Sequence, residues 1–273
     1  MKGSQVERTD VFEAEPRLWN ESEVRSFPEK PLTGVNMDHR SSRKGSPAFS
    51  FLGADYYDSI VRAGGVPVVI PPILDGMNRV LDLLDGVLLS GGADLDPRND
   101  GFMLHPSVVM MDGRREEFDH KLIRLFAERR MPVFGIGVGM RLLNVSQGGN
   151  LLLHIPEDLP KALPHRDTTD PDHRHGLVIE AGSVMAEAYG CDTEVRVGSC
   201  HHMAVDIDEV AECFRITARS PDGVVEALEG RSLDEWFALG TQFHPESGSP
   251  LDLRILELFV EGVVRSKLAR MAA

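Results

Sequence analysis

The chain has 273 residues, with 29 basic and 43 acidic side chains and a formal net charge of -14. That balance argues against a broad phosphate-binding surface, and so against nucleic acid as a partner. No run approaches the ~20 apolar residues that a membrane helix needs, so no membrane role is expected. Hydrophobic residues make up 42% of the chain and charged residues 26%, ordinary proportions for a globular protein with a substantial core. The opening "MKGSQVERTDVFEAEPRLWNES" lacks the apolar core of a secretory signal and is too acidic for a transit peptide, so the expected location is the cytoplasm. Cys191, Cys200 and Cys213 are odd in number and lack C-x-x-C spacing, which argues for reduced, mostly buried thiols.

Residues 1–30 are polar and without period, and read as an extended arm. From residue 31 to 273 the pattern is that of one α/β domain. "LTGVNM" predicts a first strand, followed by a polar loop, "DHRSSRKGSP". Residues 49–63 predict a helix ending at Gly64-Gly65. "VPVVIPP" predicts a second strand, residues 75–84 a helix, and "DGVLLSGG" a third strand. Residues 113–130 predict an amphipathic helix with Phe118, Leu122, Leu125 and Phe126 on one face. "PVFGI" and the segment after it predict a strand that turns sharply into a helix. "HGLVIE", "EVRVGS", "CFRITARS", "GVVEALE" and "FALGTQF" predict further, partly antiparallel strands on the same sheet. Residues 251–268 predict a last helix, with Leu256, Phe259, Val260 and Val263 facing the sheet. The alternation implies a mainly parallel sheet covered on both faces.

Open α/β sheets bind ligands at the carboxyl ends of their strands. Three such ends stand out. "LLSGGADLDP" offers a Gly91-Gly92 turn with exposed N–H groups, the form of an oxyanion hole. "GIGVGM" has the form of a nucleophile elbow, a strand-to-helix turn whose tip carries the attacking group. Its tip is Gly137. "GTQFHPE" ends a strand in His244, with Glu246 two residues on, a spacing suited to a base and its orienting carboxylate.

Together with "AGGVPVVIPP", "MPVFGIGVGMRLLNVSQGGNLLLHIP", "VGSCHHMAV" and "DGVVEALE", these stretches resemble the class I glutamine amidotransferases. The likeness is to the γ-glutamyl hydrolase branch, which includes γ-glutamyl-γ-aminobutyrate hydrolases, and runs from about Pro31 to Ser266. The resemblance implies a three-layer, flavodoxin-like α/β sandwich with added antiparallel strands. It also implies a Cys-His-Glu triad that opens a γ-glutamyl amide through a thioester. His244 and Glu246 then match the base and its orienter, and Gly91, Gly92 and the Val138 N–H match the oxyanion hole. Ser199, His201 and His202 match substrate-side positions.

The sequence departs from that pattern where chemistry would occur. The family reads G-I-C-R-G-x-Q; this chain has Gly137 for the cysteine, Val138 for the arginine and Arg141 for the glutamine. V-N-S-x-H-H-Q becomes Val197-Gly198-Ser199-Cys200-His201-His202-Met203, and the Gln-Asp pair after "GG" is replaced around Leu153-His154. The leading expectation is a protein that keeps the pocket, the His-Glu pair and the oxyanion turn, is inactive by the thioester route, and binds a small γ-glutamyl or related molecule or a partner. Self-association and an unidentified protein partner both stay open. The alternative is an active amide hydrolase with a relocated nucleophile, Cys200 before Ser146 or Ser199, or with a different substrate. The histidine cluster in "HRDTTDPDHRH" (His165, His173 and His175) has a zinc-like look, with His173 and His175 beside Asp170 or Asp172 as candidate ligands. The reading of that segment as a loop entering a strand prevails, so no metal and no cofactor are assigned.

Overall fold

The computed structural model describes residues 29–170, 172–190, 194–247 and 250–272. All of the expected arm at residues 1–30 except its last two residues, and Cys191, lie outside the described residues.

In chain order the strands are β1 (Leu32–Asn36), β2 (Asp38–Arg40), β3 (Phe49–Phe51), β4 (Val66–Ile70), β5 (Gly86–Leu89), β6 (Val133–Ile136), β7 (Leu151–Leu152), β8 (Arg174–Gly176), β9 (Val178–Ile179), β10 (Arg196–Gly198), β11 (Ala204–Val205), β12 (Phe214–Arg219), β13 (Val225–Gly230) and β14 (Ala238–Thr241). The helices are α1 (Ala54–Arg62), α2 (Met77–Leu81), α3 (Gly113–Glu128), α4 (Val138–Ser146), α5 (Ile155–Asp158), α6 (Val184–Tyr189) and α7 (Pro250–Ala272).

Eight strands form the central sheet in the order β4-β1-β5-β6-β14-β13-β12-β9. The first five run parallel, and β13, β12 and β9 continue the sheet antiparallel. Alternate residues of a strand face opposite sides, and each side has its own core. Val87, Leu89 and Val133 join Met77, Leu81, Phe118, Leu122 and Leu142 from α2, α3 and α4. Leu88, Phe134 and Ile136 join Ile60, Val184, Leu256 and Phe259 from α1, α6 and α7. The three-layer α/β sandwich follows from that two-sided burial.

Four expectations change. Residues 49–51 are not the start of a helix: they pair as β3 with β2, so the polar loop is a hairpin and the helix begins at Ala54. "EVRVGS" does not join the main sheet. As β10 it pairs with β8 in a separate two-stranded ribbon. The stretch "HGLVIE" is split, β8 going to that ribbon and β9 to the main sheet. The cysteines that can be seen are less buried than expected, Cys200 being exposed and Cys213 half-buried. Among the described residues no helix is long and apolar enough to cross a membrane.

Candidate functional site

The three distinctive motifs leave the carboxyl ends of three neighbouring parallel strands, β5, β6 and β14. Leu89 is level with Gly135, and Ile136 with Thr241. The sheet order therefore brings Gly91-Gly92, Gly137 and His244 together although they are far apart in sequence.

The elbow forms because small residues let α4 fold back on β6. A Cβ on Gly135 would lie 2.6 Å from the Gly139 carbonyl oxygen, and one on Gly139 would lie 2.6 Å from that of Leu89. Between them Gly137 adopts φ 58° and ψ -113°, a conformation that L side chains avoid. Its N–H donates to the Thr241 carbonyl at 2.7 Å, which ties the tip to β14. Val138 opens α4, so its N–H has no acceptor within the helix.

His244 stands directly over the tip. A Cβ built on Gly137 would lie 3.2 Å from His244 Nε2 and 3.5 Å from Cε1. The other ring nitrogen, Nδ1, is 2.7 Å from Glu246 Oε1. Since a carboxylate accepts, it places the proton on Nδ1 and leaves Nε2 as a lone pair aimed at the elbow. Glu246 is buried and His244 is one-third exposed. The sequence-assigned base, orienter and elbow tip thus assemble in one place.

The Gly91-Gly92 turn reaches the same spot, and a residue absent from the sequence reading closes it. The Gly91 N–H donates to Tyr56 Oη at 2.9 Å, and the same hydroxyl is 3.5 Å from His244 Nδ1. Burial, and then the Glu246 charge, push the Tyr56 pKa far above its usual value, so the phenol stays neutral. Beneath the turn lies Arg115, completely buried at the start of α3. It donates to the carbonyls of Ser90 and Gly91 at 3.1 and 2.9 Å, and to Asp119 at 3.1 Å. Asn36 completes the support, donating to Asp119 and accepting from the Ser90 N–H. In a trans peptide the C=O and the next N–H point in opposite directions. Holding the Gly91 carbonyl therefore turns the Gly92 N–H away from Arg115. Gly92 itself, at φ 156°, has no room for a side chain, because a Cβ would meet Arg115 Nη1 at 2.3 Å.

A cavity of about 230 Å³ opens at the elbow, with Gly92, Gly137, Val138, Arg141, Arg166 and His202 among its walls. Arg141 is buried and spans from Asp94 (3.3 Å) to Gln242 (3.4 Å). Burial works against ionised Asp94, but the hydrogen bond from His202, the Arg141 charge and the Val109 N–H outweigh it and hold its pKa below the ordinary value. His202 Nε2 lies 3.0 Å from Asp94 Oδ2, so this histidine belongs to the wall. A second cavity, of about 320 Å³, lies on the other side of His244 and Cys200.

The remaining assigned residues are placed differently from one another. Ser199 lines the second cavity but turns its hydroxyl to the His165 carbonyl at 2.7 Å. His201 is buried, with Nδ1 2.9 Å from the Met203 carbonyl and Nε2 facing Glu226. Cys200 borders both cavities. Partial burial raises its thiol pKa, against the pull of Arg166 and Arg141. Its two histidine neighbours have their ring nitrogens directed to other groups. Ser146 Oγ donates back to the Leu142 carbonyl within α4. His173 and His175 do not meet Asp170 or Asp172 around a common point. His175 instead joins His165, His201 and Glu226.

The sequence comparisons agree with this architecture. The family model described as Peptidase C26 matches residues 31–246. The "Putative glutamine amidotransferase Rv2859c" of Mycobacterium tuberculosis is 34% identical over 85% of this chain and 74% of its own length. A γ-glutamyl-γ-aminobutyrate hydrolase of Escherichia coli O157:H7 is 31% identical over 86% of this chain and 92% of its own. A solved Thermotoga maritima glutamine amidotransferase shares the fold with a TM-score of 0.53, at 15% identity over 89% of this chain and 98% of its own.

Proposed function

Because this chain belongs to the Peptidase C26 family of class I glutamine amidotransferase-like proteins, we propose that it is a γ-glutamyl hydrolase-like binding protein that has lost the thioester route. One observation carries the reading: the point 3.2 Å from His244 Nε2 is the missing Cβ of Gly137. A cysteine there would present its thiol to a base already oriented by Glu246. Glycine offers that base nothing to deprotonate.

What surrounds the tip supports a ligand role. The cavity carries the Arg166 guanidinium and the Arg141–Asp94 pair, with Gly92 and Val138 beside them. Such a wall suits a small anionic molecule, a γ-glutamyl compound or a related carboxylate, since guanidinium and carboxylate pair by charge-assisted hydrogen bonds. Cytoplasmic location and a protein partner or second copy belong to the same reading.

The test compares the native chain with Gly137→Cys on a panel of γ-glutamyl amides. The native chain is expected to show negligible turnover, and the variant to gain it. Native turnover at the level of an intact family member would overturn the proposal. Lack of gain, with tight binding of γ-glutamyl compounds by the native chain, would keep the binding role and show that the pocket no longer presents the amide to the elbow.

The placement of Cys200 on both cavities favours one second reading, a relocated nucleophile. It predicts covalent labelling by an electrophilic glutamine analogue, abolished by Cys200→Ser. The raised thiol pKa works against it, because the thiolate is the attacking form.

A further inference from the structure

Behind the pocket wall four buried side chains meet. His165 precedes β8, His175 lies on β8, His201 lies between β10 and β11, and Glu226 lies on β13. Their exposures are 3%, 4%, 7% and 0%. Glu226 Oε1 is 3.3 Å from His165 Nδ1, 3.2 Å from His175 Nε2 and 3.3 Å from His201 Nε2. The four potential ligand atoms all lie within 4.8 Å of one another.

The outward ring nitrogens decide what the inward ones can be. His165 Nε2 is 3.0 Å from Asp222 Oδ2, His175 Nδ1 is 3.0 Å from the Gly176 carbonyl, and His201 Nδ1 is 2.9 Å from the Met203 carbonyl. Carbonyl and carboxylate oxygens only accept, so each outward nitrogen carries a proton. A neutral imidazole has one N–H, so all three inward nitrogens are lone pairs. They face one another and a carboxylate, in a place closed to water. In keeping with this, neither the inward nitrogens nor either Glu226 oxygen makes a hydrogen bond.

Such a cluster needs positive charge at its centre. Protons on two of the rings would balance the two carboxylates, Glu226 and Asp222, but would leave the third inward nitrogen a lone pair against them. One divalent ion gives the same neutrality and engages all three nitrogens and the carboxylate at once.

We propose that His165, His175, His201 and Glu226 bind one divalent transition-metal ion, with zinc as the best match. Three imidazole nitrogens and one carboxylate oxygen form a zinc-type donor set. Two ligands at ~2.0–2.1 Å from a tetrahedral ion stand about 3.3 Å apart, the separation that Glu226 already keeps from each histidine. The carboxylate and carbonyls behind the rings fix the tautomers, as partners of metal-bound histidines do. Four protein ligands and full burial make the site closed and structural, without an open position for substrate. The ion would tie β8, the loop at residues 199–203 and β13 together. That loop carries Ser199, Cys200 and His202 on the cavity walls, so the metal would hold the floor of the pocket. This inference does not depend on the role of Gly137.

The experiment uses the full chain without a polyhistidine tag. Metal content is measured after equilibration with zinc and exhaustive dialysis, and melting is compared before and after a strong chelator. About one zinc per chain is expected, held with X-ray absorption distances of ~2.0–2.1 Å to nitrogen and oxygen ligands. The chelated protein should melt at least about 5 °C lower and recover on adding zinc. Glu226→Gln and His175→Gln should each lose the metal, while His173→Ala, outside the cluster, should keep it. Uptake by the native chain is the primary readout, so a variant that fails to fold leaves the test intact. A native chain that retains no zinc and melts alike with and without chelator overturns the proposal. So does a metal that survives Glu226→Gln or disappears with His173→Ala.

Discussion

Among the described residues, two of the histidine–carboxylate groups are built for opposite purposes. At the elbow one histidine meets one carboxylate: Glu246 takes Nδ1 of His244, and Nε2 is left facing a cavity. Behind the wall three histidines meet one carboxylate, Glu226, and no ring nitrogen faces solvent. The open pair keeps a lone pair available to something that enters. The closed group directs all its lone pairs inward. A histidine beside a carboxylate is therefore not a site by its composition. Which nitrogen is engaged, and whether water can reach the other, decides between a base and a clasp.

The sharpest way to break that contrast is to remove each carboxylate. Glu226→Ala removes the carboxylate on which the three buried imidazoles converge, and loss of one partner from a buried charged cluster costs about 3–5 kcal/mol. Urea unfolding of the native chain and the variant measures it. A change within about 0.5 kcal/mol would show that the closed group is not held by charge.

Next in size is the elbow tip. At φ 58° a side chain is strained, and the new Cβ of Gly137→Cys would press on His244 at 3.2 Å. The variant should fold but lose about 1–3 kcal/mol in the same urea assay. A variant as stable as the native chain would mean that the turn relaxes, and the base would then no longer lie over the tip. Smaller still is Glu246→Gln, since an amide oxygen can still accept from His244 Nδ1. It should cost about 1 kcal/mol or less, and in the Gly137→Cys background it should reduce turnover far more than it reduces stability. Equal losses in both would make Glu246 a packing residue.

Much of the elbow was legible because its parts sit at strand ends. Alternating strands and helices fix a parallel sheet, and such a sheet gathers the ends of β5, β6 and β14 on one edge. His244 and Glu246 were legible for a local reason, two residues apart just past a strand. The closed group was not. His165 and His201 become neighbours only because the segment before β8 lies against the one after β10, where Arg166 bridges Cys200. The zinc-like look of His173 and His175, outweighed by the loop reading, rests on sequence proximity, whereas His175 meets its partners only in space. One signal was available: Glu226 sits between Val225 and Ala227 on a strand buried along its whole length, and a carboxylate there must have partners. Tyr56 and Arg115 gave no such signal, because each lies on a helix whose period already accounts for its place. The error at residues 49–51 has a simple origin, since a three-residue strand is too short to show its period before a helix begins.

A third pair, His202 with Asp94, sits between the open and closed groups and predicts the smallest effect. Asp94 has its pKa lowered on folding because His202, Arg141 and the Val109 N–H outweigh its burial. A carboxylate with a depressed folded pKa stabilises the fold fully above its unfolded value, about 3.9. That contribution fades as pH falls through the folded value. Unfolding midpoints in urea should therefore drop between about pH 5 and pH 2, and Asp94→Asn should flatten part of that drop while lowering stability at pH 7. The comparison isolates the pair because the asparagine keeps the shape and removes only the proton equilibrium. If the acid limb of Asp94→Asn is as steep as that of the native chain, Asp94 is not held by charge. Arg141 would then be free to turn from Asp94 toward an anionic ligand in the cavity.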